Sequence, residues 1–155
     1  MLKERDKAPD FNLLGNDGKM HSLSEFKEKY LVLYFYPKDG TPGCTREACA
    51  FRDANAAISK KGAKIAGISK DAIDLHEKFA TKNKLNFLLL SDPESKVIKA
   101  YGAYGKRGAF GFGTLRETFI IGKDGKVLRI LKGIKPEEHA KLVLEFLNGR
   151  DNGRA

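Results

Sequence analysis

Residues 30–53 of the chain, YLVLYFYPKDGTPGCTREACAFRD, contain the features that decide its fold. The uninterrupted apolar run from Tyr30 to Tyr36 predicts a buried strand, because a helix of that length is marginal and Pro37 would stop it. The proline- and glycine-containing segment up to Gly43 is typical of a loop. Apolar residues then return at helical spacing and predict an amphipathic helix from Cys44 onward. These residues are Ala48, Phe51, Ala54 and Ile58.

Cys44 lies in the first turn of this predicted helix, a position that favours an ionised thiol. Backbone N–H groups are free there, and the positive end of the helix dipole attracts a thiolate. Gly40 and Gly43 leave the backbone open to a small substrate, and Thr41 carries a hydroxyl close to the sulfur in sequence. Cys44 is therefore a candidate nucleophile, and an inert core thiol is the alternative that its position leaves open.

The second cysteine, Cys49, follows on the same predicted helix. This spacing separates two helical Cα atoms by about 8.6 Å, whereas a disulfide tolerates at most about 7 Å. The two thiols therefore cannot form a disulfide while the helix is intact, and a bond between them requires at least one turn to unwind. A helical cysteine without a role is the alternative for Cys49.

The motif Pro37-x-x-x-Thr41-x-x-Cys44 resembles the peroxidatic signature of peroxiredoxins. The position of Cys49 is similar to that of the second cysteine in the Q-type (bacterioferritin-comigratory) group. The resemblance extends along most of the chain through further short segments. These are Ala8-Pro9-Asp10-Phe11, Leu23-Ser24-x-Phe26, Gly67-Ile68-Ser69, Leu90-Ser91-Asp92 and Gly113-Thr-Leu-Arg116-x-Thr-Phe-Ile-Ile121.

Outside residues 30–53, the patterns predict further strands and helices. Turn chemistry predicts two hairpins, which turn at residues 15–18 and 122–125. A short helix through Tyr30 follows the first hairpin, and the glycine-rich stretch 102–113 predicts a loop. The remaining predicted strands are 63–68, 87–90, 118–121 and 127–131. The predicted helices carry apolar stripes at Ala72, Leu75 and Phe79, at Val97 and Ile98 after Pro93, and at Ala140, Val143, Leu144 and Leu147 between Pro136 and Gly149.

This order of elements predicts an α/β fold class, and the resemblance implies the same architecture. We expect a thioredoxin-like fold, in which a central mixed β-sheet is flanked by helices and carries an N-terminal β-hairpin extension. The length of 155 residues and the hydrophobic content of 41% favour a single domain over residues 1–155. Residues from about 150 to 155 are expected to form a tail without fixed structure.

The resemblance also implies roles for three residues around Cys44. Arg116 would bind the peroxide oxygens and stabilise the thiolate, because a guanidinium keeps its charge and donates to two oxygens at once. Thr41 would hydrogen-bond the thiolate or the substrate oxygen, and Pro37 would shield the sulfur from water. By its spacing on the helix, Glu47 would orient Arg116 through an ion pair; the alternative is an acid that only interacts with the helix dipole.

The activity that the resemblance implies is that of a thiol-dependent peroxidase. The Cys44 thiolate would attack hydrogen peroxide or an organic hydroperoxide, become a sulfenic acid, and condense with Cys49 to an intrachain disulfide. A thioredoxin-like or glutaredoxin-like dithiol protein would reduce that disulfide. No cofactor is expected. No metal is expected either, because the three histidines share no ligand spacing with one another or with the cysteines. These are His21, His76 and His139, and His76, which lies on a predicted helix beside Leu75 and Phe79, is expected to be a boundary residue rather than a catalyst.

Composition narrows the partners and the compartment. The net charge is +9, but lysines are interspersed with acidic residues, which favours a solvated surface over a nucleic-acid interface. No segment approaches the roughly 20 apolar residues that span a bilayer, and the N-terminus is charged rather than signal-like. We therefore expect a cytoplasmic protein without a membrane or nucleic-acid partner. A monomer is expected, with a weak homodimer as the alternative.

Two other functions compete with the peroxidase. A thioredoxin-type thiol–disulfide oxidoreductase ordinarily uses Cys-x-x-Cys, whereas four residues intervene between Cys44 and Cys49. A basic nucleic-acid-binding module would rely on the short stretch 106–112, where Lys and Arg accompany two phenylalanines. Insulin reduction would identify the first alternative, and salt-dependent retention of an oligonucleotide would identify the second.

Overall fold

The apolar run at residues 30–36 forms the strand at the centre of the sheet. The computed structural model describes residues 2–151, and strand β3 (Tyr30–Phe35) is buried at every position after Tyr30. It pairs in parallel with β4 (Ala63–Ser69) and antiparallel with β8 (Glu117–Ile121). Strands β4 and β8 cover both edges of β3, and other residues pack on both of its faces. The sequence of β3 is therefore continuously apolar and does not alternate between apolar and polar residues.

Seven strands form one mixed sheet, and two more form a separate ribbon. The other strands are β1 (Asn12–Gly15), β2 (Met20–Ser22), β5 (Leu88–Ser91), β6 (Tyr104–Lys106), β7 (Phe112–Thr114) and β9 (Val127–Lys132). The spatial order of the main sheet is β2-β1-β5-β4-β3-β8-β9, with β6 and β7 in the ribbon. The helices are α1 (Pro42–Lys60), α2 (Ile73–Lys82), α3 (Lys96–Ala100) and α4 (His139–Asp151). The predicted thioredoxin-like fold is confirmed, and the N-terminal hairpin joins the sheet where β1 pairs with β5.

Alternate residues of β3 divide the core into two apolar clusters. Leu31, Leu33 and Phe35 pack on the face that α3 covers. Val32 and Tyr34 pack on the opposite face, which α1, α2 and α4 cover. The side chain of Cys44 belongs to this second cluster and is 1% exposed. The sheet therefore places the first turn of α1 over a dry, aromatic surface.

Helix α1 follows β3 after a short loop, as the sequence predicts. Pro42 occupies the first helical turn, where its missing N–H costs little, and Thr41 is the N-cap residue. Phe51 stacks on Tyr34 with ring centroids 4.7 Å apart, which fixes the middle of the helix on the sheet. Helix α1, the longest described helix, is thus amphipathic. Among the described residues, no helix is long and apolar enough to cross a bilayer.

Helix α2 buries a different face from the predicted one. Its buried residues are His76, Phe79 and Ala80, whereas Leu75 is 42% exposed. Leu75 is rotated by about 100° from His76 around the helix axis and lies beside the buried face. The prediction that His76 is a boundary residue is wrong, because its ring is fully buried and finds hydrogen-bond partners for both nitrogens.

The glycine-rich stretch 102–113 is not a loop but a small β-ribbon. Strands β6 and β7 pair antiparallel, and a 3-10 turn over Gly108–Phe110 joins them. Positive φ angles at Gly108 (56°) and Gly111 (79°) allow this turn. Phe110 and Phe112 remain exposed, so the ribbon has no apolar alternation that would have identified it from the sequence.

Several element boundaries differ from the predicted ones for local reasons. The helix before β3 is a 3-10 turn (Leu23–Phe26), and Glu28, at φ 70°, lies between it and β3. Helix α3 starts at Lys96 rather than at Pro93, because the Asp92 carboxylate accepts the Ile98 N–H at 2.8 Å.

The C-terminal helix also differs from its predicted limits. A 3-10 turn at Pro136–Glu138 leads into α4, which continues past Gly149 to Asp151 because Val143 and Leu147 bury it against the sheet. Part of the predicted tail, at residues 150 and 151, is therefore helical, and residues 152–155 lie outside the described residues.

Candidate active site

Cys44 lies in the first turn of α1 and faces the guanidinium of Arg116. The Nη2 atom of Arg116 lies 3.5 Å from Sγ, and the sulfur is almost fully buried. Arg116 reaches this position because it precedes β8, the antiparallel neighbour of β3. A permanent cation beside a thiol stabilises its ionised form. Strand pairing thus brings together two residues that are far apart in the sequence.

The backbone around Cys44 supplies further hydrogen-bond donors. The first intrahelical bond runs from the Thr45 N–H to the Thr41 carbonyl at 2.9 Å, so the N–H groups of Gly43 and Cys44 have no partner within the helix. A Cβ atom at residue 43 would lie 3.1 Å from Nη2 of Arg116. Glycine at this position therefore leaves room for the guanidinium, and the free N–H groups can stabilise negative charge near the sulfur.

Glu47 orients the guanidinium from the opposite side. Its Oε1 atom accepts a hydrogen bond from Nη1 of Arg116 at 2.7 Å, and its side chain is 0% exposed. Burial raises the pKa of Glu47 to about 8, although the neighbouring guanidinium opposes that rise. Burial also acts to lower the pKa of Arg116, but Glu47 and Cys44 outweigh it and the net shift is upward. The arginine therefore stays charged while Glu47 changes charge close to neutral pH.

His139 completes this buried chain of contacts, although no sequence pattern assigns it a role. Its Nδ1 atom lies 2.8 Å from the Thr118 hydroxyl and 3.5 Å from Oε2 of Glu47. Its Nε2 atom lies 3.2 Å from the Ile134 carbonyl, which accepts only from a protonated Nε2. The neutral ring thus presents Nδ1 as an acceptor to the Thr118 hydroxyl. No spacing rule could identify His139, because only the packing of α4 on α1 brings it to Glu47.

The titration of His139 predicts acid sensitivity of the fold. Burial lowers the pKa of His139 from 6.5 to about 4. Below pH 6.5 the folded protein then binds fewer protons at this ring than the unfolded chain does, so stability falls as the pH drops toward 4. We expect the stability difference between wild type and His139→Gln to be about 3 kcal/mol smaller at pH 4 than at pH 7, measured by urea unfolding.

His21 provides a control of opposite sign for this measurement. Burial acts to lower the pKa of His21, but the carboxylates of Glu25 and Asp17 outweigh burial and raise it. Its contribution is therefore present at low pH and disappears as the pH rises through the raised pKa. His21→Gln should reduce stability more at pH 5 than at pH 9. An equal effect of His139→Gln at pH 4 and pH 7 would contradict the prediction for His139.

Thr41 and Pro37 lie on the loop that leads to Cys44. The Thr41 hydroxyl donates to the Lys38 carbonyl at 2.9 Å, so its single proton is directed into the loop rather than at the sulfur. Its oxygen retains lone pairs for a hydroxyl of the substrate. Pro37 is half-buried, and only Tyr36 separates it from the end of β3. The roles that the resemblance implies for Thr41 and Pro37 stay predictions.

Cys49 lies on the same helix but in different surroundings. It is partly exposed, and both cysteines are free thiols. Its Sγ atom lies 3.8 Å from Oδ1 of Asn83, at the C-terminal end of α2. The intact helix between the two cysteines agrees with the expectation that they cannot bond in this conformation.

A second polar cluster lies beneath the same loop. Asp39, Asp71 and His76 place one potential ligand atom each within 4.8 Å of one another. Sequence spacing does not indicate this cluster, because the three residues come from three separate segments. Their carboxylate and ring atoms hydrogen-bond to one another and to Tyr36, Ser69 and Leu90. We therefore assign the cluster to a hydrogen-bond network within the protein.

Comparisons with known proteins agree with this site. The model of the AhpC/TSA family matches residues 5–130. Peroxiredoxin Bcp of Bacillus subtilis is 43% identical over 144 residues, which cover 91% of this chain and 92% of that protein. The chain is a peroxiredoxin of the AhpC/TSA family. Its similarity to peroxiredoxins Bcp and Q confirms the group that the sequence motif indicates, and members of this family are thiol peroxidases.

Solved structures give the same result for this peroxiredoxin. A cysteine-to-serine mutant of PrxQ from Xylella fastidiosa has a TM-score of 0.94 at 27% identity, with coverage of 98% of this chain and 99% of the other. The bacterioferritin comigratory protein of Xanthomonas campestris has a TM-score of 0.88 at 31% identity, with coverage of 97% and 98%. The thioredoxin-like fold of peroxiredoxins is therefore present over nearly the whole chain.

Proposed function

We propose that this peroxiredoxin reduces hydrogen peroxide and organic hydroperoxides through Cys44. The observation that carries the proposal is the Arg116 guanidinium, which lies 3.5 Å from Sγ of a thiol in the first turn of a helix. The thiolate attacks the terminal oxygen, the O–O bond breaks, and Cys44 becomes a sulfenic acid. The alkoxide or hydroxide that leaves takes up a proton and departs as alcohol or water. The Xanthomonas campestris protein is described as reducing alkyl peroxides, which supports the organic substrates.

Arg116 and the backbone N–H donors would stabilise the negative charge that develops during the attack on the peroxide. Negative charge moves from the sulfur to the leaving oxygen, and the Arg116 guanidinium, 3.5 Å from Sγ, lies close enough to donate hydrogen bonds to the peroxide oxygens at the sulfur. The N–H groups of Gly43 and Cys44, which have no partner within α1, can stabilise the same charge. Glu47 holds the other half of the guanidinium at 2.7 Å, so Arg116 does not need to reorganise during the reaction.

We infer that Cys49 resolves the sulfenic acid. Its thiolate attacks the sulfur of Cys44, hydroxide leaves as water, and an intrachain disulfide forms. Because that bond cannot form across an intact helix, the first turns of α1 must unwind. The later turns are tied to the end of α2 and the segment after it: Arg52 donates to the Asn83 carbonyl at 2.7 Å, and Asn55 donates to the Asn86 carbonyl at 3.0 Å. Unwinding is therefore confined to the part of α1 before Arg52.

The disulfide would then be returned to two thiols by a dithiol protein of the thioredoxin or glutaredoxin type. Unwinding moves Cys49 out of its contact with Asn83 and toward solvent, where an external thiolate can reach it. The reducing cytoplasm is the compartment in which such recycling operates. In this proposal the protein acts as a monomer.

Intact-protein mass spectrometry after one equivalent of peroxide tests the assignment of both cysteines. Wild type should lose two hydrogens, about 2 Da, because the disulfide replaces two thiols. Cys49→Ser should instead gain one oxygen, about 16 Da, because its sulfenic acid has no resolving partner. Serine keeps the size of cysteine and therefore leaves the helix in place.

Cys44→Ser serves as the control for this measurement, and its mass should stay unchanged. A loss of two hydrogens in Cys49→Ser would exclude Cys49 as the resolving thiol. An oxygen adduct on Cys44→Ser would exclude Cys44 as the residue that peroxide attacks.

A further inference from the structure

A buried pair, Asp39 and His76, fastens the active-site loop to helix α2. Nδ1 of His76 lies 2.6 Å from Oδ2 of Asp39, and the side chains are 0% and 6% exposed respectively. Asp39 stands between Pro37 and Thr41, so it belongs to the peroxidatic motif by position. His76 belongs to the buried face of α2. The pair thus joins the loop before Cys44 to a helix far along the chain.

Both ring nitrogens of His76 have hydrogen-bond partners. Nε2 of the ring lies 3.0 Å from the Leu90 carbonyl, and Nδ1 faces the Asp39 carboxyl group. A carbonyl only accepts, so Nε2 carries a proton and a second proton lies in the bond between Nδ1 and Oδ2. The pair shares that second proton. Separating the pair is costly, because each partner would be left as a buried polar group without its hydrogen bond.

Asp39 is also held through its backbone and through a second side chain. Its N–H donates to Oδ2 of Asp71 at 2.8 Å, and this oxygen also accepts from the Ser69 hydroxyl at 2.7 Å. The Tyr36 hydroxyl donates to Oδ1 of Asp39 at 2.6 Å. Asp39 is thus tied to the end of β3, to the end of β4 and to α2. These hydrogen bonds fix the position of Asp39 relative to three elements of the fold.

We propose that Asp39 and His76 are positioning residues for the peroxidatic site, an inference that rests on the proposed function of Cys44. They hold the loop on α2, so that Thr41 and the free N–H groups of α1 keep their places beside the sulfur. They also fix the loop while the first turns of α1 unwind. The mobile segment then lies between two fixed points, Asp39 before it and Arg52 after it.

Fixing both ends of the unwound segment makes an encounter between the Cys49 thiol and the Cys44 sulfur more frequent. A chain segment held at both ends explores far fewer conformations than one released at one end, which raises the effective concentration of one thiol near the other. The fixed loop also allows α1 to refold from its own N-cap after reduction. The pair therefore serves both the reaction with peroxide and the return to the folded state.

The test uses Asp39→Asn, which keeps the shape of the side chain and removes its charge. In the reduced protein, without peroxide, we expect hydrogen exchange of the amides at 38–44 to accelerate about tenfold. The midpoint of the pH profile for iodoacetamide alkylation of Cys44 should move upward by about one pH unit, because the donors no longer face the sulfur. Cys49→Ser serves as the background, so that only Cys44 is alkylated.

His76→Gln tests the other partner, with His21→Gln as its matched control. His21 is also a largely buried histidine between acceptors, the carboxylates of Glu25 and Asp17, but it lies in the N-terminal hairpin. We expect His76→Gln to reproduce both changes and Asp39→Asn/His76→Gln to add little to either single variant. His21→Gln should leave the exchange at 38–44 and the alkylation profile unchanged.

An unchanged alkylation profile together with unchanged exchange at 38–44 in Asp39→Asn would overturn the proposal. If His76→Gln does not fold, Asp39→Asn decides alone, because Asp39 lies in the loop and its replacement leaves the core volume unchanged. Neither readout needs peroxide or turnover. A failure of the peroxidase assignment would instead appear in the mass measurement on Cys44 and Cys49, so the two failures are distinguishable.

Discussion

Replacing Cys44 by serine should lower the second-order rate constant for peroxide consumption by more than about 10⁴-fold, the scale on which loss of a catalytic nucleophile acts. A serine hydroxyl does not ionise near neutral pH and cannot form a sulfenic acid, so the arginine and the backbone donors have no thiolate to assist. Stopped-flow measurement with excess hydrogen peroxide gives the rate directly. The variant should keep its fold, because serine fills nearly the same buried space.

Cys49→Ser provides the comparison that separates the two thiols in this experiment. It should keep the rate of the first turnover near that of wild type and stop after one equivalent of peroxide, because the sulfenic acid is not resolved. If Cys44→Ser kept the wild-type rate while Cys49→Ser lost it, the assignment of nucleophile and resolving thiol would have to be reversed.

Replacing Arg116 by glutamine should lower the same rate constant by about 10²–10³-fold, the usual cost of removing a preorganised charge from a developing oxyanion. The expected loss follows from two contacts: Arg116 lies 3.5 Å from Sγ of Cys44 and 2.7 Å from Oε1 of Glu47. Without the guanidinium, the Cys44 sulfur loses the cation 3.5 Å away and the buried Glu47 loses its hydrogen-bond donor. Stopped-flow rates at several pH values would show the effect on both binding and chemistry.

Arg46→Gln is the matched control, because it also removes one positive charge by an arginine-to-glutamine change. Arg46 lies in the first turns of α1. Arg46 lies at the surface, where its side chain is 57% exposed and pairs with Glu137 at 3.4 Å. An exposed pair of this kind contributes little, so the rate should stay within about twofold of wild type. Arg116→Lys should fall between the two, because lysine keeps the charge and loses the fork. Equal losses in Arg46→Gln and Arg116→Gln would attribute the effect to net charge rather than to contact.

The active site combines two requirements that oppose each other. Chemistry at Cys44 requires a dry surrounding, which the aromatic residues of β3 and α1 provide. In the proposed mechanism, resolution requires the same sulfur to leave that surrounding and meet Cys49. The proposed anchors on both sides of the first turns of α1, at Asp39 and at Arg52, would reconcile the two requirements by limiting the unwinding to a short segment.

Local patterns predicted the centre of this protein well, because there the local preferences and the tertiary environment agree. The apolar run at 30–36 is a strand in the middle of the sheet, and a helix with Cys44 in its first turn follows it. Both hairpins lie where their turn residues indicate. Prediction failed in the glycine-rich ribbon, whose strands carry glycines and exposed aromatics in place of alternation.

Polar residues inside the core were the other source of error, since burial of a polar side chain depends on partners that the sequence does not show. His76 and His139 are both fully buried because each ring finds acceptors or donors on distant elements. Leu75 is 42% exposed although the predicted apolar stripe of α2 includes it. His76, the next residue, is buried on the sheet-facing side of α2 instead.

The sequence by itself predicted Cys44 as the candidate nucleophile and the helix that carries it, and it showed that a bond to Cys49 would require this helix to unwind, because turn residues, helical spacing and helix geometry are local properties. Only the tertiary structure decided which residues surround that cysteine. Strand pairing brings Arg116 to the sulfur, helix packing brings His139 to Glu47, and the loop meets α2 through Asp39 and His76. These contacts join residues that are distant in the chain, and their strength comes from burial, which exists only once the sheet and its helices have assembled.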